Sequence, residues 1–211
     1  METPTTDGRV QRGNETRRAV LGRAVEVASV EGLEALSIGR LATDLGLSKS
    51  GVFASFGSKE ELQLAAVRAA QRIFRDAVVV PVEDLPPGLG ALRALCDSWL
   101  AYSRRRVFPG GCFFYAVSAE FDARPGPVRD ALAAAGRAWE EHLTDLARAA
   151  REAGELRADT DLDLLVFGLI GMLEAANAQS LLYGDERRYD LAAAGVLALL
   201  RGAASHPELL A

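Results

Sequence analysis

Cysteine and histidine are scarce in this chain. Its 211 residues hold two of each: Cys96, Cys112, His142 and His206. Two cysteines cannot build a disulfide scaffold, and their spacing is not that of a CxxC redox pair. They are expected to be reduced thiols in a cytoplasmic protein. His142 follows Glu140 and Glu141, but no second histidine is near it, so neither a metal site nor a cofactor is expected. Glycine-rich phosphate loops and a Ser/His/Asp order are missing, and no catalytic residue is assigned. Strand-like alternation does not extend beyond Val78, Val79 and Val80, and no internal repeat has a fixed period. The opening METPTTDGRV lacks a basic segment followed by an apolar run, so no signal peptide is expected. The longest uncharged apolar run, Leu164 to Leu173, has ten residues, about half of the ~20 that cross a bilayer, and no membrane partner is expected.

Lysine is rarer than the charge suggests. Of 24 basic residues only Lys49 and Lys59 are lysine, and the remaining 22 are arginine. The net charge of −5 is also uneven. Residues 1–60 carry eight basic and eight acidic side chains, so the whole negative excess falls in residues 61–211. Between Arg9 and Arg23 there are five arginines and one acid, Glu15. A basic arm on an acidic protein is compatible with phosphate contact. The hydrophobic share of 49% and charged share of 25% describe a folded chain, not a disordered one. The length suits one large domain, or a small domain joined to a larger one.

Helical periodicity dominates what is present. Val20, Leu21, Ala24, Val27 and Ala28 recur on one face, with Asn14 as a candidate cap and Gly32 as a stop. Ser37, Ser48 and Ser58 can cap the next three helices. Ser58-Lys59-Glu60-Glu61 has the form of a capping box, followed by an apolar series that carries a helix to about Val79. Beyond the breaks at Pro81 and Pro86-Pro87-Gly88, helices are expected from Leu89 to Arg106 and from Cys112 to Phe121. Further helices should run from Pro127 to Ala153, from Asp159 or Thr160 to Tyr183, and from Arg188 to Gly202. The reading is an all-α fold of about nine helices.

Residues 37–56, SIGRLATDLGLSKSGVFASF, carry the functional signal. Two short helices meet at Gly46, which supplies the positive φ of the turn. Ala42 allows close approach, and Ile38, Leu41, Leu45, Leu47 and Val52 form the small core between them. Ser48, Lys49, Ser50 and Ser55 are left to face outward. This is helix-turn-helix spacing, with the second helix suited to a major groove.

The longer frame, residues 28–62, resembles the DNA-binding domain of the TetR family of transcriptional regulators. The landmarks are Ala28, Gly32, Leu36-Ser37-Ile38, Leu41-Ala42, Leu45-Gly46-Leu47-Ser48, Phe53, Phe56 and Ser58 to Leu62. The family usually has tyrosine at the place of Phe53, and that phenol commonly reaches a DNA phosphate. Phe53 is expected to keep the packing and lose the hydrogen bond. Backbone contact then rests on Lys59, Thr43 and the arm, with Arg9, Arg12, Arg17 and Arg18. Lys49 is expected on a base or phosphate.

The resemblance implies a three-helix DNA-binding domain in residues 1–60 and a helical effector-binding and dimerisation domain in residues 61–211. It also implies a homodimer on a near-palindromic, double-stranded operator. The all-round apolar segment from Leu164 to Leu173 supports an interface. Leu165, Gly168, Leu169, Met172, Ala175, Ala178 and Leu197 are its candidate residues, the alternative being that both helices belong to the core of one chain. Trp99, Tyr102, Cys112, Phe113, Phe114, Tyr115, Phe121 and Trp139 are candidates for a site that takes a small, largely apolar effector, or else for core. The expected function is a non-enzymatic repressor released by that effector. An activator, and an all-α ligand- or partner-binding protein without DNA binding, stay open.

Overall fold

The computed structural model describes residues 5–210, and the side chains of residues 5–10, Arg12 and Leu209 lie outside that description. Among the described residues there are nine α-helices and no strand. They are α1 (Thr5–Glu31), α2 (Ile38–Asp44), α3 (Lys49–Phe56), α4 (Lys59–Phe74), α5 (Leu89–Arg104), α6 (Phe113–Phe121), α7 (Pro127–Glu152), α8 (Leu162–Tyr183) and α9 (Arg187–Ala203).

The predicted serine caps form. Ser37 Oγ accepts from the Arg40 N–H at 3.1 Å, Ser48 Oγ from Gly51 at 3.1 Å, and Ser58 Oγ from Glu61 at 3.1 Å. Each satisfies one of the orphan donors of a helix start. Three boundaries differ from expectation. Asn14 is interior to α1 and caps nothing, because Gly8 and Gly13 weaken a helix without ending it. The fourth helix gives way after Phe74 to a π turn over Arg75–Val79 and a 3-10 turn over Val80–Val82, where Pro81 cannot donate an amide. The cap of α8 is Asp161, whose Oδ1 accepts from Leu164 N at 3.0 Å.

The chain divides into two compact units. One comprises the chain up to Arg72 together with Phe108–Leu132; the other comprises Ile73–Val107 together with the chain from Ala133 onward. The core of the first holds Val20, Ala24, Leu33, Leu36, Leu41, Val52 and Leu62, with Phe113 and Val117 of α6. Gly110 sits tightly on the end of α1: its N–H donates to Ser29 Oγ at 3.1 Å, and a Cβ there would lie 1.8 Å from the Ser29 carbonyl oxygen.

The core of the second unit holds Leu92, Leu95, Tyr102, Leu143, Val166, Leu169, Val196 and Leu200. Helices α8 and α9 lie against each other, and a Cβ at Gly195 would lie 2.8 Å from Met172 Sδ. A polar cluster is buried with them. Ser103 Oγ is 2.9 Å from both Asn177 Oδ1 and the Tyr189 hydroxyl, and Arg106, at φ 52°, donates to that hydroxyl at 2.7 Å. By length and composition α8 could cross a membrane, which the ten-residue run did not suggest; only Asp163 and Glu174 interrupt its 22 residues. Its buried side, including Leu165, Val166, Leu169 and Leu173, is core of its own unit.

Candidate DNA-binding face

Helix α3 is placed by its two neighbours in sequence and by α1. Gly46 turns the chain at φ 64°, and the Leu47 N–H returns to the Ala42 carbonyl at 2.8 Å. Leu41, Ala42 and Val52 are buried, whereas Ile38, Leu45 and Leu47 are half-buried. The far end is held by Arg17 of α1. Its guanidinium lies 4.4 Å from the centroid of the Phe56 ring and donates to the Ser55 carbonyl. Two ion pairs fix α2: Arg23 to Asp44 at 2.9 Å, and Arg40 to Glu31 through two bonds of 2.5 and 2.6 Å. The Arg40 hydrogen bond pulls the Glu31 carboxyl below its ordinary value, and the bond that Arg23 donates to Asp44 raises Arg23.

The residues expected on DNA are not equally available. Ser48 and Ser50 are exposed, but the Ser48 hydroxyl caps the helix and the Ser50 hydroxyl lies 3.5 Å from it. Ser55 Oγ donates to the Gly51 carbonyl at 3.1 Å, and Thr43 Oγ1 to the Gly39 carbonyl at 3.0 Å. Lys49 is exposed and has no ion-pair partner among the described residues. Phe53 departs from expectation. It is 56% exposed instead of packed, because Val52 and Phe56 take the inward positions of the helix. The side chains of Arg9 and Arg12 lie outside the described residues.

Lys59, expected on phosphate, already has a partner. Its Nζ donates to the Glu34 carbonyl at 2.7 Å and to Glu34 Oε2 at 2.9 Å. The Lys59 bond, and then that from Gln63, lowers the Glu34 carboxyl from its ordinary value. The same segment is held from α6, where the Glu120 carboxylate accepts from the Leu33 N–H at 2.7 Å and the Glu34 N–H at 2.9 Å. Gly32, at φ 85°, leaves room for that carboxylate; a Cβ there would come within 2.7 Å of it. Arg17, expected on DNA with the arm, is instead engaged by Phe56 and the Ser55 carbonyl, and Glu34 and Glu120 were missed as positioning groups. Arg17 had a signal in the basic stretch of α1, whereas Glu120 is 86 residues from its partner Glu34 and had none.

The candidate effector residues fall into two groups. In the second unit, Phe74 meets Tyr102 and Trp139 edge-on at 5.4 and 5.2 Å, and Trp99 lies 6.2 Å from Tyr102. In the first, Phe113 lies 5.6 Å from Phe108 and 5.4 Å from Phe114, with Cys112 and Phe121 also buried and Tyr115 exposed. Phe74 was not among the candidates, whereas Phe108 belongs to the aromatic-rich stretch from which they were drawn. Both cysteines are buried, and burial raises the Cys96 thiol to about 12. Of the candidate interface residues, Leu165 and Leu169 face the core of their own unit and cannot lie on a surface. Gly168 is against Leu199, where a Cβ would be 3.2 Å from Leu199 Cδ1. Met172, Ala178 and Leu197 are half-buried and Ala175 is exposed. On these two helices the large exposed apolar side chains are instead Leu164, Phe167, Leu181, Leu182 and Tyr183 of α8 and Leu191 of α9.

A capped helix-turn-helix with an outward lysine, set in an all-α chain, defines a helix-turn-helix DNA-binding protein. Residues 20–66 match the family described as bacterial regulatory proteins, tetR family, and residues 88–196 match the tetracyclin repressor-like C-terminal domain. The chain belongs to the TetR family of transcriptional regulators. A TetR transcriptional regulator from Chloroflexus aurantiacus is 25% identical, with TM-score 0.85, over 92% of this chain and 98% of that one. A TetR-family regulator from Streptomyces coelicolor is 26% identical, with TM-score 0.76, over 90% and 96%. A putative transcriptional regulator from Saccharomonospora viridis, solved in complex with choline, has TM-score 0.78 at 19% identity over 92% and 100%. No curated protein sequence matches.

Proposed function

We propose that the protein is a cytoplasmic, homodimeric repressor that leaves a near-palindromic operator when a small, largely apolar effector binds. Residues 1–60 would supply DNA binding, and residues 61–211 effector binding and dimerisation. The observation that carries the DNA reading is the outer strip of α3, where Lys49 has no ion-pair partner among the described residues and stands one turn from the exposed Phe53. A cation free of internal partners is able to reach a guanine edge or a phosphate.

The dimer reading is supported by the exposed side of α8 and α9. Leu164, Phe167 and Leu182 are 67%, 76% and 78% exposed, and Leu191 is 58% exposed. With Gly171, Ala175 and Ala178 they make an apolar strip at helical spacing. Exposed patches of this kind on soluble proteins mark interaction surfaces, and two-fold homodimers are the commonest use. Effector binding would alter the spacing of the two recognition helices, which must reach half-sites about 34 Å apart. The aromatic residues of α5, α6 and α7 are the candidate effector contacts, and the choline complex of the Saccharomonospora viridis regulator is a precedent for a small ligand on this fold.

The test is a gel shift with the DNA upstream of the protein's own gene at two salt concentrations. Sequence-selective, salt-sensitive retardation is expected; retardation without selectivity, or none, contradicts the reading. A reporter fused to that DNA distinguishes repression from activation by the sign of its response.

A further inference from the structure

We propose that Phe53 reads a thymine in each operator half-site through the 5-methyl group of the base, one or two base pairs from the pair contacted by Lys49. The inference rests on the operator-reading function proposed above. It starts from what the exposed strip of α3 offers. The hydroxyls of Ser48 and Ser55 are engaged within the helix, and that of Thr43 within α2. Gly51 and Ala54 are exposed but too short to reach beyond the helix surface. The long outward side chains are therefore Lys49 and Phe53, four residues apart on one face.

The chemistry of the two is complementary. Lys49 is a cation suited to the N7 and O6 acceptors of guanine. Phe53 has no hydrogen-bonding group. The apolar group on the major-groove edges of unmodified base pairs is the thymine 5-methyl, so a phenyl ring that discriminates among bases must do so there. Four residues of helix advance about 6 Å, against ~3.4 Å per base step, which puts the two contacts one or two base pairs apart. The fold does not need the ring, since it is 56% exposed while Val52 and Phe56 form the inner contacts. Its substitution therefore isolates binding from folding.

The experiment uses the full-length protein and a binding site obtained by selection from random DNA. Each thymine of the site is replaced in turn by uracil, which removes one methyl and nothing else. In the wild type, one position per half-site is expected to lose about fourfold in affinity, the worth of one buried methyl. Phe53→Ala should be indifferent to uracil at that position and should melt at the same temperature as the wild type. Phe53→Leu should retain part of the preference, and 5-methylcytosine there should bind Phe53 better than cytosine does. Selective binding in which Phe53→Ala keeps the full thymine preference overturns the inference, as does a loss equal for all sequences, which would place the ring against the sugar-phosphate backbone. If the wild type selects no sequence at all, the operator-reading function itself fails, and the inference with it.

Discussion

Arg17 holds the ring of Phe56 beneath its guanidinium, with the central carbon 4.4 Å from the ring centroid, and donates to the carbonyl of Ser55. One arginine of α1 thereby fixes the C-terminal end of α3. A partly desolvated cation–π contact with a hydrogen bond is worth about 1–2 kcal/mol. Arg17→Ala should lower stability by about that amount and weaken operator binding without changing which sequence is preferred. Arg17→Lys should not restore it, because a point charge cannot stack and donate as the planar group does. Thermal melts and fluorescence anisotropy on operator variants measure both; an altered sequence preference would instead make Arg17 a base-reading residue.

Lys59 and Glu34 form an ion pair, for which a DNA phosphate at Lys59 would have to compete. Lys59→Ala should weaken binding to every DNA sequence and lower the salt slope by about one. Glu34→Gln removes the competing charge and should raise non-specific affinity. If Glu34→Gln leaves non-specific binding unchanged while Lys59→Ala leaves the slope unchanged, Lys59 is a structural residue only.

The same pair gives a pH dependence. Hydrogen bonds from Lys59 and Gln63 lower the Glu34 carboxyl from its ordinary 4.5, and that from Arg40 lowers Glu31. A depressed carboxyl contributes stability that is fully present above its unfolded pKa and is lost as pH falls through the lower folded value. Stability should therefore fall as pH drops below 4.5, and the fall should be shallower in a Glu31→Gln, Glu34→Gln double variant. A parallel curve for wild type and variant would remove these pairs from the account.

Exposed and buried apolar residues of α8 should respond differently. Phe167→Glu, on the exposed apolar strip, should convert the dimer to a folded monomer in light scattering with its helicity unchanged. Leu169→Glu buries a charge in the core of the second unit and should unfold it, at a cost of several kcal/mol. A Phe167→Glu dimer would move the interface elsewhere.

Gly110→Ala places a Cβ 1.8 Å from the Ser29 carbonyl oxygen, and backbone has to move to admit it. A loss of about 3 kcal/mol or more is expected in a denaturant titration. A loss below 1 kcal/mol would mean that the loop re-seats easily.

Much of the DNA-binding unit is legible in sequence because its signals are local. Serine caps act over three residues, and Gly46 acts on its own turn, so both can be read along the chain. Phe53 misled for a related reason. Its aromatic character suggested packing, but the inward register of an eight-residue helix was already filled by Val52 and Phe56. The face of α8 was misassigned because a helix apolar all round carries no sign of which side meets its own unit; the packing of α5 and α9 against it leaves Leu165 and Leu169 buried. Glu120 on Leu33 and Glu34 is beyond any local pattern, since it joins residues more than 80 positions apart.

The central claim, that α3 reads operator DNA from its outer strip, is tested most directly by Lys49→Ala. Its affinity is compared with that of the wild type across single-base variants of the selected operator. The account predicts that Lys49→Ala loses discrimination at one base pair per half-site, by the ~1–3 kcal/mol of a specific base contact, and keeps it elsewhere. An unchanged ranking of all variants at wild-type affinity would contradict it.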